Sequence, residues 1–338
     1  MDMIRLIEPG AFELIDTDEP EPPSKGIALV KVLHVGLCGT DIHAFQGNQP
    51  FFSYPRILGH ELGVEIVALG EDCGDLKLGM RCSVEPYLSH SGDRAFARGK
   101  TNCSSSTQCM GVHVDGGMRE RILIPADKLH PSNLDTDQLA LVETLCIGHH
   151  AVERAVLQGD ETIAVIGMGP IGLGVSTFAN LSGAKVVCID ISQGRLDKAQ
   201  QLIPGVRTLL LESGKSLDES WSIIDAEAPE VVFDCTGNKG SMEASVELPA
   251  FGGRIVFVGI YNGELSFSDP SFHKRELSII SSRNARAWNF KEVIGLMESG
   301  EVDVEPWITH RCASREFPGQ VNDWLQPNSG LLKGVIEF

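Results

Sequence analysis

The sequence has no apolar run long enough to cross a bilayer, which excludes a helical membrane span. It is short of positive charge, with 28 Lys and Arg against 46 Asp and Glu and a formal net charge of −18. Nucleic-acid and acidic-membrane surfaces need clustered Lys and Arg, so both are excluded as partners. A dense cysteine framework is also missing, because the nine cysteines are odd in number and scattered from Cys38 to Cys312. That excludes a secreted disulfide scaffold and predicts free thiols. The start, Met1-Asp2-Met3-Ile4-Arg5, lacks the basic and apolar segments of a secretory leader, and a cytoplasmic location is the expectation. What remains is an ordinary globular composition, 42% apolar and 22% charged over 338 residues, enough for two domains with separate cores.

What the sequence does have is concentrated in Val35-Gly36-Leu37-Cys38-Gly39-Thr40-Asp41-Ile42-His43. A thiol, a hydroxyl, a carboxylate and an imidazole stand close together between glycines that let the backbone turn several of them into one cavity. Gly59-His60-Glu61 follows, and Glu143 stands later in an apolar, helix-like stretch where a buried carboxylate needs a partner. Cys38, His60 and one or both of Glu61 and Glu143 make the mixed soft and hard donor set that suits zinc. Neighbours on a regular strand point to opposite faces, so His60 and Glu61 reach one ion only where the backbone leaves strand geometry, which Pro55 and Gly59 permit. Asp41 is read both as the group that orients the His60 ring and as a cap for the helix that follows. The segment 47–56 is tied at both ends to these motifs, which makes Phe51, Phe52 and Arg56 candidate walls of a substrate pocket. Arg56 would supply local positive charge to an anionic substrate that the protein's net charge repels.

From Met1 to about Pro131 short strands, such as 27–33, 63–69 and 81–84, are broken by Gly and Pro and suggest a small β-barrel. A helical pattern then runs from Asp135 through Glu143 to Val152 and stops at Gln158-Gly159-Asp160. Next comes the apolar strand Thr162–Ile166, the turn Gly167-Met168-Gly169-Pro170-Ile171-Gly172, a helix through Phe178, and a strand from Lys185 ending in Asp190. Strand, glycine turn, helix and acidic strand end, in this order, form a dinucleotide fingerprint: the pyrophosphate sits at the helix N-terminus and the carboxylate on the adenosine ribose. Asp190 favours NAD by repelling a 2′-phosphate, and Arg195 is the one nearby group that tolerates one. Further strands at 206–211, 231–234, 255–260 and 277–281 complete a doubly wound parallel sheet. Cys235-Thr236-Gly237 and Val258-Gly259-Ile260 end two of those strands and are predicted to border the cofactor.

Cys-Gly-Thr-Asp-Ile-His, Gly-His-Glu and the glycine turn, in that order, resemble the zinc-dependent medium-chain dehydrogenases, in the branch of sorbitol, threonine and sugar-acid dehydrogenases. The resemblance runs from the first strand to the last residue. It implies an α/β chain with a GroES-like β-barrel catalytic domain at 1–145, a Rossmann NAD-binding domain at 146–286, and a segment at 287–338 returning to the catalytic domain. It also implies a proton path from Thr40 to His43, with Ser282 and Arg283 on the cofactor side and Lys274 or Arg283 available to a substrate carboxylate. Relatives bind a second, structural zinc through four cysteines, where this chain has His90, Asp93, Phe96 and Cys103. One zinc is therefore expected, with the lobe held by packing. His113 is read as a loop residue, and His149 and His150 as packing or cofactor-adjacent residues.

Residues 263–270, Phe272-His273-Lys274 and Ser281-Ser282-Arg283-Asn284 look most like bacterial dehydrogenases of hexonic acids such as L-galactonate or L-gulonate. The resemblance thus implies NAD-linked oxidation of a sugar-acid secondary alcohol. A sorbitol-type polyol or L-threonine dehydrogenase is the nearest alternative, and a non-catalytic nucleotide-binding relative the alternative from another class. A homodimer or homotetramer is expected, with Ile255–Ile260 pairing across a two-fold axis as in relatives.

Overall fold

The structure, a computed structural model, describes all residues except Pro50, Phe51, Ser91, Asp225 and Ala226. Phe51, a candidate for the substrate pocket, thus lies outside the described residues. The chain forms two compact units, Met1–Thr144 with Ala285–Phe338, and Leu145–Asn284.

In chain order the first unit contains β1 (Asp2–Glu8), β2 (Ala11–Asp16), β3 (Ile27–Leu37), α1 (Gly39–Phe45), β4 (Glu61–Leu69), β5 (Arg81–Val84), β6 (Tyr87–Leu88), α2 (Arg94–Ala97), β7 (Gln108–Cys109), β8 (Arg121–Pro125) and β9 (Leu129–Pro131). Helix α3 (Thr136–Ala155) leads into the second unit, where β10 (Thr162–Ile166), α4 (Pro170–Leu181), β11 (Lys185–Asp190), α5 (Gln193–Leu202), β12 (Arg207–Leu210) and α6 (Leu217–Ile224) follow. That unit continues with β13 (Val231–Asp234), α7 (Lys239–Ser245), β14 (Arg254–Phe257), α8 (Asp269–Lys274) and β15 (Ser278–Ser281). The chain then rejoins the first unit through α9 (Ala287–Glu298), β16 (Ile308–Ala313), α10 (Phe317–Trp324) and β17 (Lys333–Glu337).

The first unit is built on the sheet β16-β17-β3-β4-β5-β9, with β8 also paired to β3. Ala28, Val30 and Val32 alternate into the core, and a register shift between Val32 and His34 then turns Val35, Gly36 and Leu37 inward. The strand runs past Leu33, where the sequence pattern ends, because β4 and β17 pair with its last residues on either side. That extension carries Cys38 to the end of the strand. Buried Ile4, Leu6, Leu58, Leu62, Phe317 and Ile336 close the core around it.

The lobe at 92–109 is tied together by hydrogen bonds around Asp93, and α2 buries none of its residues. The Asp93 carboxylate accepts from Phe96 N at 2.8 Å, Ser104 Oγ at 2.9 Å, Ser105 N at 2.7 Å and Ser105 Oγ at 2.9 Å. Bonds from the Phe96 and Ser105 backbone, with the serine hydroxyls, hold its pKa well below the usual carboxylate range. A carboxylate among serines thus ties these segments together.

In the second unit the parallel sheet has the order β12-β11-β10-β13-β14-β15. Ile163–Val165 and Val231–Phe233 are fully buried, as expected of central strands covered on both faces. The glycine turn closes β10 onto α4, with Gly169 as N-cap and Pro170 in the first turn, where its missing N–H costs no hydrogen bond. β14 lies between β13 and β15. The expectation that Ile255–Ile260 pairs across a two-fold axis is therefore corrected: its strand residues already have neighbours on both sides, and the edge strands are β12 and β15.

Candidate functional site

Cys38, His60 and Glu61 offer sulfur, nitrogen and oxygen atoms that all lie within 4.8 Å of one another. Cys38 is the N-cap of α1, His60 precedes β4, and Glu61 begins it. Gly59 has φ +90°, a left-handed conformation that breaks strand geometry before His60, so the two neighbours escape the alternation that would separate them. Gly36 stands opposite Glu61 across the β3–β4 ladder, and a Cβ there would collide with the Glu61 carboxylate. A soft thiolate, an imidazole and a carboxylate at this separation fit zinc.

Asp41 is 1% exposed and fixes the two ligand-bearing segments to each other. It accepts from Cys38 N at 3.0 Å, one half of a capping box, and from Gly59 N at 3.3 Å. Its distance to His60 Nδ1 is 3.8 Å, too long for a hydrogen bond, so it acts on the ring through charge while its bonds position the backbone on either side. Burial pushes its pKa up. Thr40 and His43 lie about one helical turn apart on α1, Thr40 half-buried and His43 exposed.

Each candidate carboxylate has a protein partner that sequence reasoning missed. Both oxygens of Glu61 lie 2.6 Å from Lys333 Nζ. Glu143, on α3, accepts from the Tyr87 hydroxyl. Burial opposes ionisation of both carboxyls: for Glu61 the Lys333 charge outweighs it and the pKa falls, whereas for Glu143 burial prevails and the pKa rises. Tyr87 pairs with Cys109 across the β6–β7 ribbon. Burial, with the Glu143 and Cys38 charges beside it, pushes the Cys109 thiol up to about 12 against the lowering effect of His60. His113 accepts from Cys109 N at 3.0 Å and serves that turn.

Phe52 packs edge-on against Tyr54, with ring centroids 4.8 Å apart. Arg56 donates to Ser53 Oγ at 2.8 Å and lies 3.4 Å from the Asp115 carboxylate. Lys274 ends α8, and Ser282 and Arg283 follow β15, all in the second unit. His149 stacks edge-on against Phe178 at 4.9 Å, and His150 lies 3.2 Å from Glu153, so both have packing partners.

The second unit has a cleft of about 670 Å³ at the carboxyl ends of its strands, lined by Gly167, Gly169, Asp190, Arg195, Cys235 and Thr236. Lys215, Ser216, Asn238 and Ser241 also line it, and nothing in local sequence pattern marked them. Gly172 packs so closely under Gly167 that a Cβ would meet its carbonyl oxygen. Asp190 accepts from Met168 N at 2.6 Å and from Ser192 N at 2.8 Å, which locks the turn to the strand end. Arg195 lies 3.8 Å from it. Asp234 accepts from Thr236 Oγ1 at 2.7 Å and Ser241 Oγ at 2.5 Å, fixing the Cys235-Thr236-Gly237 turn. Gly259 packs against Gly237, which joins the Val258-Gly259-Ile260 turn to it. Pro170 and Ile171 open α4.

Residues 24–134 match the alcohol dehydrogenase GroES-like domain, and residues 170–299 match the zinc-binding dehydrogenase family. The chain is 40% identical over 318 residues to L-galactonate-5-dehydrogenase of Escherichia coli K12, covering 94% of this chain and 93% of that one. It is 28% identical over 308 residues to sorbitol dehydrogenase of Halalkalibacterium halodurans, covering 89% of each. Among solved structures, the alcohol dehydrogenase RspB of Escherichia coli CFT073, complexed with NADH, superposes with a TM-score of 0.91 at 26% identity, over 100% of this chain and 99% of that one. No described helix is long and apolar enough to cross a membrane. The donor cluster, the dinucleotide cleft and these matches lead to one conclusion: the chain belongs to the zinc-dependent alcohol dehydrogenase family and is an NAD-linked oxidoreductase.

Proposed function

We propose that this enzyme oxidises a secondary hydroxyl of a sugar acid, a hexonate such as L-galactonate or L-gulonate, with NAD as acceptor. The observation that carries the substrate class is the 40% identity to L-galactonate-5-dehydrogenase over nearly the whole of both chains. Cys38 and His60 hold the zinc, with Glu61 or Glu143 completing the shell. Zinc, when bound, acidifies a hydroxyl placed on it, and NAD accepts the hydride. The chain moves the proton: half-buried Thr40 receives it, and exposed His43, a turn further along α1, passes it to solvent. Gly167, Gly169, Pro170, Ile171 and Gly172 hold the pyrophosphate, Asp190 the ribose, and the turns at 235–237 and 258–260 the rest of the cofactor. Arg56, Lys274 and Arg283 are the candidate partners of the substrate carboxylate, with Phe52 on the pocket wall. The working form is a cytoplasmic homodimer or homotetramer with its catalytic domain at 1–145, its NAD-binding domain at 146–286, and 287–338 completing the former.

One observation favours a neutral polyol instead, namely that Arg56 already faces Asp115 within the protein. NADH formation by zinc-loaded protein against hexonates, hexitols and L-threonine separates the two readings. Turnover concentrated on one hexonate is expected, with Arg56→Ala raising its KM by roughly tenfold to a hundredfold, the worth of a charge-assisted hydrogen bond. Preference for hexitols or L-threonine would overturn the sugar-acid reading.

A further inference from the structure

Helix α1 has only seven residues, yet it carries Thr40 and His43 and begins at Cys38. A helix this short is marginal by itself, so its place depends on what holds its ends. Its last four carbonyls all have donors. Gln46 N bonds to Ile42 O, Asn48 N to His43 O and Gly47 N to Ala44 O, all from the chain that leaves the helix. Two further donors come from elsewhere: Gly10 N reaches Phe45 O at 2.7 Å, and the Tyr54 hydroxyl donates to Ala44 O at 2.5 Å.

Ala44 O already has a backbone donor in Gly47 N, so the helix does not need Tyr54 to satisfy that carbonyl. The segment carrying Tyr54 does need an anchor. Among the described residues, no backbone hydrogen bond holds Phe52, Ser53 or Tyr54. Side chains hold the stretch instead: Ser53 Oγ accepts from Arg56, the Phe52 ring packs edge-on against Tyr54, and both rings rest on the core of the first unit. The hydroxyl of Tyr54 is what ties this stretch to α1. Burial pushes its pKa up, which keeps the phenol a donor.

We propose that Tyr54 is a positioning residue: its hydroxyl pins the pocket wall to α1, so that Phe52 keeps its place relative to Thr40 and His43. This rests on the reading of Phe52 as a wall of the substrate pocket. Tyr54→Phe leaves a ring for Phe52 to pack on and cuts the link to Ala44. The wall then loosens and substrate is held less well, while the groups that act on its reacting hydroxyl are untouched.

The test uses the full chain loaded with zinc. With para-fluorophenylalanine installed at position 52 alone, the fluorine resonance should shift and narrow in Tyr54→Phe, and an unchanged shift and line width would overturn the proposal whether or not a substrate is in hand. On whichever of L-galactonate, sorbitol and L-threonine the parent oxidises fastest, Tyr54→Phe should raise KM roughly threefold to tenfold, the worth of one hydrogen bond, with kcat within about twofold. In a Phe52→Ala background the same change should move KM by less than about twofold, because the residue it acts through is gone. An equal rise in both backgrounds, or a lowered melting temperature with parental KM, contradicts the proposal. A parental KM in Phe52→Ala itself would instead overturn the pocket-wall reading beneath it.

Discussion

Tyr87→Phe tests whether Glu143 is a metal ligand. Tyr87 is 3% exposed and Glu143 4%, and the phenol donates to the carboxylate between them. Phenylalanine keeps the ring and removes the hydroxyl that donates to Glu143. In zinc-free protein Glu143 then loses a donor in a site where burial already pushes its pKa up. The expected cost is about 1.5–3 kcal/mol, the range for a hydrogen bond to a charged group. With zinc bound to Glu143 the carboxylate has a stronger partner, and the cost should fall to about 1 kcal/mol or less, the ordinary worth of a neutral hydrogen bond. Native-state hydrogen exchange across β6 and the first half of α3, with and without zinc, measures both costs locally. Equal losses in the two states would refute a role for Glu143 on the metal.

Gly36→Ala places a methyl against the Glu61 carboxylate and should cost about 1–3 kcal/mol as overpacking, with reduced zinc content, and parental thermal stability and zinc content would contradict the packing argument. Asp190→Asn should lower the preference for NAD over NADP by roughly tenfold to a hundredfold, read from the two kcat/KM values, and an unchanged ratio would move cofactor selection elsewhere. The folded-state pKa of Asp93 is depressed, so its contribution is complete above the unfolded value of about 3.9 and is lost only as pH falls through the lowered one. Hydrogen exchange of residues 93–106 should therefore stay protected down to about pH 4 and become fast at neutral pH in Asp93→Asn, whereas a parental protein that opens between about pH 5 and 4 would contradict the network.

What the sequence made legible was local. β10, its glycine turn and β11 follow from an apolar run, three glycines and a terminal Asp that act on their immediate neighbours, and the structure has them where the pattern put them. Cys38, His60 and Glu61 were also readable as a group, because a glycine before His60 marks the backbone that lets neighbours converge. Their partners were not. Lys333 stands 272 residues from Glu61 and Tyr87 stands 56 from Glu143, and only the pairing of β17 with β3 and the fold of the β6–β7 ribbon bring them together. The position of β14 inside the sheet has the same cause, since strand order depends on how crossovers pack rather than on any one strand. The Asp93 network escaped because the sequence pattern pointed to the missing cysteines, while Ser104 and Ser105, which bond to Asp93, look like an ordinary loop.

The central claim is a single zinc held by Cys38 at the head of α1, with the lobe around Asp93 holding no ion. Native mass spectrometry of the intact protein counts bound metal directly. One zinc per chain is predicted, absent in Cys38→Ala and retained in Cys103→Ala. Two zinc ions per chain, or one that survives Cys38→Ala and is lost in Cys103→Ala, would contradict the account.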